Sequence, residues 1–123
     1  MNEKGVVLVK QFEIWMADLP RRLGLTSVVW GKRPVVIVSN NLNNEHSEVV
    51  LVVPLTSRLG KTQLPTHVFL KDQGLEVPSY ALCEQIMPVD KCELLERIGS
   101  VEKKWDRMCI THAMQVQLGM VEA

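Results

Sequence analysis

Two segments of this chain carry side chains that suit a phosphate group, and each adjoins a run of apolar residues. Arg33 lies in the basic stretch Gly31-Lys32-Arg33-Pro34, directly before a run of Val and Ile, and Thr56 and Ser57 follow the next such run. A guanidinium offers a planar pair of donors to phosphate oxygens, and hydroxyls can donate to a third oxygen. These residues therefore predict a phosphate-binding site, the alternative being two ordinary turns beside core strands.

The elements that must position these side chains are two apolar strands, predicted at residues 34–39 and 49–54. Pro34 fixes its own φ and drives Arg33 towards an extended conformation. The turn-forming residues 40–47 join the two strands, which favours an antiparallel pair. Because the start of one antiparallel strand lies near the end of its neighbour, we expect Arg33 and Thr56 to face one pocket.

The rest of the chain predicts short strands followed by terminal helices. This order is typical of the α+β class, mostly β with some α: a small antiparallel barrel or curled sheet with a C-terminal helix. We expect one domain over residues 1–123, with residues 1–10 of unknown role. The further predicted elements are strands at 13–18, 66–70 and 79–86, loops at 19–30 and 58–63, a turn at 71–74, a short helix at 90–97, and a last helix from an N-cap at Ser100 to Gly119.

The last predicted helix carries an apolar stripe that indicates either packing against the sheet or a dimer contact. His112 lies on this stripe, and we interpret it as a buried histidine rather than a ligand. The residues of the stripe are Trp105, Met108, Cys109, His112, Ala113 and Val116.

Composition narrows the classes of function. The 123 residues are 46% hydrophobic and carry 14 basic against 14 acidic side chains, so no overall charge favours nucleic acid. Residues 19–64 nevertheless hold six Lys and Arg against two Glu, a local basic patch suited to a short anionic ligand. Three cysteines without metal-ligand spacing, and no apolar run of membrane-spanning length, favour reduced packing thiols in a cytoplasmic protein.

Several kinds of catalytic site have no support in the sequence. There is no glycine-rich phosphate loop, nucleophile elbow, zinc-ligand spacing or paired-carboxylate pattern, so we expect no metal and no cofactor. The histidines His46, His67 and His112 are scattered over a loop, a strand and a helix, which gives little support to a two-histidine ribonuclease.

Five ordered motifs nevertheless carry a family resemblance, and the chain resembles the MazF/PemK toxin ribonucleases over most of its length. The motifs are Glu13-Ile14-Trp15-Met16-Ala17-Asp18-Leu19, Gly31-Lys32-Arg33-Pro34-Val35-Val36-Ile37-Val38, Val53-Pro54-Leu55-Thr56-Ser57, Leu64-Pro65-Thr66-His67-Val68, and Glu84-Gln85-Ile86 followed by Val89-Asp90-Lys91.

This resemblance implies an SH3-like, CcdB-like barrel and a homodimer that an acidic antitoxin neutralises. It also implies metal-independent cleavage of single-stranded RNA, including mRNA, and Arg33 and Thr56 match the family's catalytic pair. In such a reaction the 2′-hydroxyl attacks the adjacent phosphorus and leaves 2′,3′-cyclic phosphate and 5′-hydroxyl ends. The general base is Glu84 or water. We expect Trp30, Lys32, Ser57, Arg58, Lys61 and Gln85 to contact RNA, although Trp30 equally suits packing of the long loop.

Two positions depart from the family pattern. Phe12 stands where glycine is usual, which predicts a change in an RNA-contacting loop, and Met87 replaces a frequent arginine, which removes a charge near the site. Two alternatives therefore stay open: a CcdB-like toxin that binds DNA gyrase without catalysis, and a degenerate homologue that only binds an antitoxin.

Overall fold

Seven antiparallel strands form one sheet in the order β4-β5-β3-β2-β1-β7, with β6 paired to β3 beside this path. The structure is a computed structural model that describes residues 8–60 and 63–123. The strands are β1 Glu13–Leu19, β2 Gly31–Ile37, β3 Val49–Thr56, β4 His67–Leu70, β5 Ser79–Leu82, β6 Met87–Asp90 and β7 Leu94–Ser100. The helices are α1 Asn41–His46 and α2 Lys104–Gln117. Short 3-10 turns lie at Cys83–Gln85 and Lys91–Glu93.

Strand β3 is the centre of the sheet because it pairs with three other strands. Val35 of β2 lies opposite Pro54. The other edge of β3 pairs with β6 at its start and with β5 at its end, where Thr56 lies opposite Tyr80. A mostly antiparallel sheet with a C-terminal helix was the fold that the sequence predicts, and it is confirmed.

The apolar run of β2 is buried on both faces, as its continuous Val and Ile residues predict. Val36 belongs to one core cluster, which includes Ile110 and Ala113 of α2. Val35 and Ile37 belong to a second cluster on the opposite face, since successive side chains of a strand alternate. The two clusters together bury the sheet from both sides.

Two segments between strands differ from the prediction. The turn-rich segment 40–47 contains the short helix α1, capped by the Asn40 side chain, which accepts a hydrogen bond from the Asn43 backbone N–H at 2.8 Å. The helix predicted at 90–97 is wrong, because only the 3-10 turn Lys91–Glu93 precedes strand β7. Leu94 and Ile98 have helical spacing, but hydrogen bonding to β1 overrides that local preference. The strand predicted at 79–86 likewise stops at Leu82.

Helix α2 begins later than its sequence predicts, because Ser100 lies in β7 and is not its N-cap. The Gln73 side chain, in the turn after β4, instead accepts hydrogen bonds from the backbone N–H groups of Glu102 at 2.9 Å and Lys103 at 3.2 Å. This distant side chain therefore fixes the backbone that leads into the helix, ahead of the N–H groups of its first turn.

The predicted apolar stripe of α2 is only partly buried. Ala113 is in the core, whereas Trp105 is 71% exposed and Met108 is 54% exposed. His112 is also exposed, so its interpretation as a buried histidine is wrong. The four-residue strand β4 beneath the helix is too short to cover a stripe of three turns.

Phe12 has a left-handed backbone conformation, with φ of +69°. Its N–H donates to the Ile37 carbonyl and its carbonyl accepts from the Val101 N–H, both at 2.7 Å. The Arg107 guanidinium lies 5.0 Å from the centre of its ring. Phe12 is thus held between β2, β7 and α2. The role predicted for residues 1–10 stays open: residues 1–7 are outside the described residues, while Val9 is buried in the second cluster.

We expect Phe12→Gly to be more stable than Phe12→Ala. Both variants lose the ring, but only glycine adopts a positive φ without the steric cost of about 1–2 kcal/mol that a Cβ imposes. Glycine's greater freedom in the unfolded chain offsets part of this gain. Urea unfolding should therefore favour the glycine variant by about 0.5–1 kcal/mol.

The matched control is the same pair of substitutions at Thr111, an exposed position of α2. There alanine should be the more stable by about 1 kcal/mol. The same order of stability at both positions would contradict the strain assigned to Phe12.

Candidate active site

Arg33 and Thr56 line one cleft, as the antiparallel pairing of β2 and β3 predicts. Arg33 lies near the start of β2 and Thr56 ends β3. The cleft has a volume of about 330 Å³. Its lining presents guanidinium, ammonium and hydroxyl groups, which are all donors to an anion. The described residues that line it are Lys32, Arg33, Pro34, Leu55, Thr56, Ser57 and Arg58.

The Arg33 guanidinium is held in place by two backbone carbonyls. Its Nε donates to the Trp30 carbonyl at 3.2 Å and its Nη1 donates to the Leu55 carbonyl at 3.3 Å. Burial lowers the pKa of Arg33, because partial loss of water disfavours the cation. An anion in the cleft would compensate this cost, and the remaining N–H groups of the fork are available to donate to it.

The Thr56 hydroxyl closes a tight turn at the end of β3. It accepts from the Arg58 N–H at 3.2 Å and donates to the Arg58 carbonyl at 2.9 Å. The turn-capping interpretation of this residue is therefore correct, and the residue also lines the cleft. The Ser57 and Arg58 side chains beyond it are exposed.

Glu84 and Gln85 lie in the 3-10 turn before β6 and do not belong to the described lining of this cleft. The Glu84 carboxylate accepts from His67 Nε2 at 2.8 Å and from Thr66 Oγ1 at 3.3 Å. The partnership with His67 escaped the sequence analysis, which treated the histidines as scattered. The only sequence signal for this pair is that Glu84 and His67 each lie in one of the five motifs that carry the family resemblance.

Gln85 contacts the loop that leads into β2. Its Oε1 accepts from the Val29 N–H at 2.8 Å, and its Nε2 donates to the Ser27 carbonyl at 3.0 Å. Trp30 follows in this loop and is 42% exposed, with the Arg21 guanidinium 4.7 Å from the centre of its ring. The loop therefore carries a half-exposed aromatic ring beside the cleft.

Two further predicted positions lie elsewhere. Lys61 is outside the residues that the structure describes. Met87 pairs with Val52 and packs against the second core cluster, so this departure from the family pattern is a partly buried thioether contact.

The cysteines differ in their environments. Burial, and after it the charge of Glu84, raises the pKa of the Cys83 thiol to about 12, which keeps it protonated and unreactive. Cys109 is half-buried, and burial followed by the charge of Asp106 raises its pKa. Cys92 is exposed, so the prediction of a packing role is wrong for this residue.

Within residues 8–60 and 63–123, no three His, Cys, Asp or Glu side chains are grouped to hold a metal ion. In the same residues, no helix has the length and apolar character that crossing a bilayer demands.

A larger apolar groove of about 730 Å³ lies between β4 and α2. Phe69 is 49% exposed and forms part of its wall together with Trp105 and Met108. His67, the partner of Glu84, also lines it. We call this feature the β4–α2 groove.

Comparisons with known proteins agree over nearly the whole chain. Residues 10–108 match the family model described as the PemK-like, MazF-like toxin of type II toxin–antitoxin systems. Endoribonuclease EndoA of Bacillus subtilis (strain 168) is 32% identical over 120 residues, which cover 94% of this chain and 99% of the relative.

Solved structures show the same fold. MazF (Form-I) from Deinococcus radiodurans superposes with a TM-score of 0.78 at 18% identity, covering 94% of this chain and 100% of the other. A mycobacterial endoribonuclease in complex with its cognate antitoxin superposes with a TM-score of 0.71 at 28% identity, covering 97% and 96%.

Proposed function

Because the chain belongs to the family of PemK-like, MazF-like toxins of type II toxin–antitoxin systems, we propose that it cuts single-stranded RNA in the Arg33–Thr56 cleft without a divalent metal. Its assignment as an endoribonuclease toxin follows from that membership. The reaction course is supported by one observation, the Arg33 guanidinium held by two carbonyls beside the Thr56 hydroxyl. The cytoplasm is the compartment that supplies such a substrate.

The proposed reaction needs no nucleophile from the protein. The 2′-hydroxyl oxygen of the RNA attacks the adjacent phosphorus, and the bond from phosphorus to the 5′-oxygen breaks. Since the nucleophile is already tethered, holding the backbone in line supplies much of the rate. Arg33 donates to the non-bridging oxygens, where negative charge develops in the transition state. The Thr56 hydroxyl joins it by turning its one proton from the Arg58 carbonyl to a non-bridging oxygen.

Water manages the two protons in this proposal. The described residues of the cleft offer no carboxylate or imidazole, and a guanidinium, which stays protonated near neutral pH, is a poor base. Water therefore takes the 2′-hydroxyl proton, and water protonates the leaving 5′-oxygen. Glu84, the alternative base, is already engaged with His67 and Thr66.

The rim of the cleft suits the flanking nucleotides. Lys32 and Arg58 are exposed cations that can pair with neighbouring phosphates, and Ser57 adds a hydroxyl. Trp30 presents ring surface on which an unpaired base can stack. A single strand fits this arrangement because its bases are free to splay.

We expect the purified protein to cut a mixed single-stranded RNA in the presence of EDTA. The products should carry 2′,3′-cyclic phosphate and 5′-hydroxyl ends, because intramolecular attack breaks the bond to the 5′-oxygen. Polynucleotide kinase labelling before and after phosphatase treatment identifies the 5′ end. Cleavage that EDTA abolishes, or 5′-phosphate ends, would contradict the mechanism, and intact RNA would favour an alternative that only binds a partner.

We expect Arg33→Ala to lower kcat by about 10²-fold or more, the usual cost of removing one transition-state donor, and Thr56→Ala to lower it less. Arg33→Lys should also be strongly impaired, because a compact ammonium lacks the planar fork that spans both carbonyls and still presents paired N–H groups to the phosphate. Single-turnover cleavage of one short RNA measures all three.

The matched control is Arg97→Lys on β7, where a surface arginine pairs with Glu13 at 3.0 Å. That variant should cleave RNA as the unmodified chain does. Nearly full activity of Arg33→Lys would contradict the need for a planar fork.

The chain is also proposed to form a homodimer through the β4–α2 groove. Trp105, Met108 and Phe69 leave more apolar surface exposed there than isolated surface residues require. We expect a sedimentation mass of about twice 13.9 kDa at micromolar concentration. Met108→Glu should shift the mass to that of a monomer, because it buries an unpaired charge.

Gln117→Glu is the control for that substitution, since Gln117 lies on α2 but does not line the groove. It should leave the mass unchanged. A monomer mass for the unmodified chain would contradict the dimer.

An acidic antitoxin segment is the proposed inhibitor. The mycobacterial relative was solved in complex with its cognate antitoxin. In this chain Arg21, Lys32, Arg33 and Arg58 form a basic surface that a disordered acidic segment can cover. Such a segment would occupy the positions of RNA phosphates, so the antitoxin and RNA would exclude each other.

A further inference from the structure

One 3-10 turn contacts both loops that flank the cleft. The first loop, residues 20–30, leads into β2, and the second loop, described at residues 57–60 and 63–66, leaves β3. Gln85 contacts the first loop and Glu84 contacts the second. We propose that these two side chains are positioning residues that hold the loops around the RNA and do not themselves contact it. This inference rests on the ribonuclease function proposed above.

Gln85 connects the turn to the catalytic arginine through residues 27–30 of the first loop. Its amide holds the Ser27 carbonyl and the Val29 N–H, and the carbonyl of the next residue, Trp30, accepts from Arg33 Nε. The Trp30 carbonyl orients the Arg33 guanidinium, and Gln85 holds Val29, the residue before Trp30. The orientation of the guanidinium therefore depends on Gln85. A shift of about 1 Å at such a group is enough to reduce catalysis by 10²-fold.

Glu84 anchors the second loop through His67. The Leu64 N–H donates to His67 Nδ1 at 3.1 Å, so the ring proton is on Nε2, which donates to Glu84 at 2.8 Å. The His67 side chain is only 5% exposed, and the Thr66 hydroxyl also donates to Glu84. The Cys83 N–H donates to the Thr66 carbonyl at 3.1 Å and attaches the loop to the turn a second time.

The hydrogen-bond inventory separates positioning from the two roles that the sequence predicts. An amide oxygen or nitrogen with one partner can bind a second, but both ends of the Gln85 amide are directed at the first loop. Both Glu84 oxygens are likewise directed at residues 66 and 67, and Glu84 is not among the described residues that line the cleft. The geometry thus favours a positioning role, in which one rigid turn fixes where both loops lie relative to the cleft.

The first test is Gln85→Met, which keeps the side-chain length and removes both hydrogen bonds. It should lower kcat by about 10- to 100-fold with KM nearly unchanged, because the arginine loses its orientation while the cationic rim stays. Amide hydrogen exchange at Val29 should accelerate in the free protein. An unchanged kcat would overturn the proposal. A variant whose only defect is weaker binding of an RNA with a 2′-deoxy cleavage site would overturn it as well.

Gln73→Met is the matched control for this variant. Gln73 also binds backbone groups with both ends of its amide, away from the cleft: its oxygen accepts from Glu102 and Lys103 before α2, and its nitrogen donates to the Lys71 carbonyl. It should accelerate exchange at Glu102 and Lys103 and leave kcat unchanged. An equal loss of kcat in both glutamine variants would show a general loss of stability and overturn the specific role of Gln85.

The second test compares Glu84→Gln with Glu84→Ala. Glutamine can still accept from His67 through its one oxygen and donate to the Thr66 hydroxyl through its nitrogen, so it should keep activity within about threefold, whereas alanine should lose 10-fold or more and free the Leu64 amide for exchange. A general base would instead lose about 10²–10⁴-fold in the glutamine variant, which would overturn the positioning role.

The two proposals fail in different ways. An unmodified chain that leaves RNA intact would contradict the ribonuclease function. In that case the amide exchange rates at Val29 and Leu64 would still show whether the turn holds the two loops. Cleavage by the unmodified chain together with unchanged exchange in Gln85→Met and Glu84→Ala would contradict only the positioning role.

Discussion

The pairing of β2 with β3 is the constraint on which the candidate site depends. Val35 lies opposite Pro54, and this register brings Arg33 to the end of β3, where Thr56 lies. A slip of one residue would turn every side chain of β2 to the other face. Val35 and Val36 belong to different core clusters, so such a slip would exchange two packed interiors. Core packing therefore fixes the geometry of the cleft as well as the stability of the sheet.

The sequence predicted best those features that depend on short segments. The continuous Val and Ile runs identified β2 and β3, and the Arg33 and Thr56 cleft followed from their antiparallel order. Features that depend on distant partners were missed, because no local pattern reports them. Gln73 binds the backbone just before α2 across about 30 residues, and Glu84 binds His67 across 17 residues. Strand β7 was taken for a helix because its apolar spacing fits both structures, and only pairing with β1 decides between them.

The two departures from the family pattern have structural explanations of different kinds. Phe12 occupies a backbone conformation with φ of +69°, which explains why glycine is usual there. Its ring packs under Arg107 at the far end of β2 from Arg33, so it does not alter the cleft directly. Met87 faces the second core cluster through β6, next to the turn that carries Gln85. Neither substitution removes a described side chain from the lining of the cleft.

The strand order has a consequence for solubility, because among the described strands β4, β6 and β7 each pair with one neighbour and leave one edge with unpaired backbone groups. Strand β6 has only four residues, one of which is Pro88. At one end β4 has only four residues and lies against α2, which limits access to its edge. At the other end β7 carries the exposed charges of Glu96 and Arg97. Short, covered or charged edges resist edge-to-edge joining of separate molecules. The chain can thus keep an unclosed sheet without becoming a template for aggregation, even when no partner covers it.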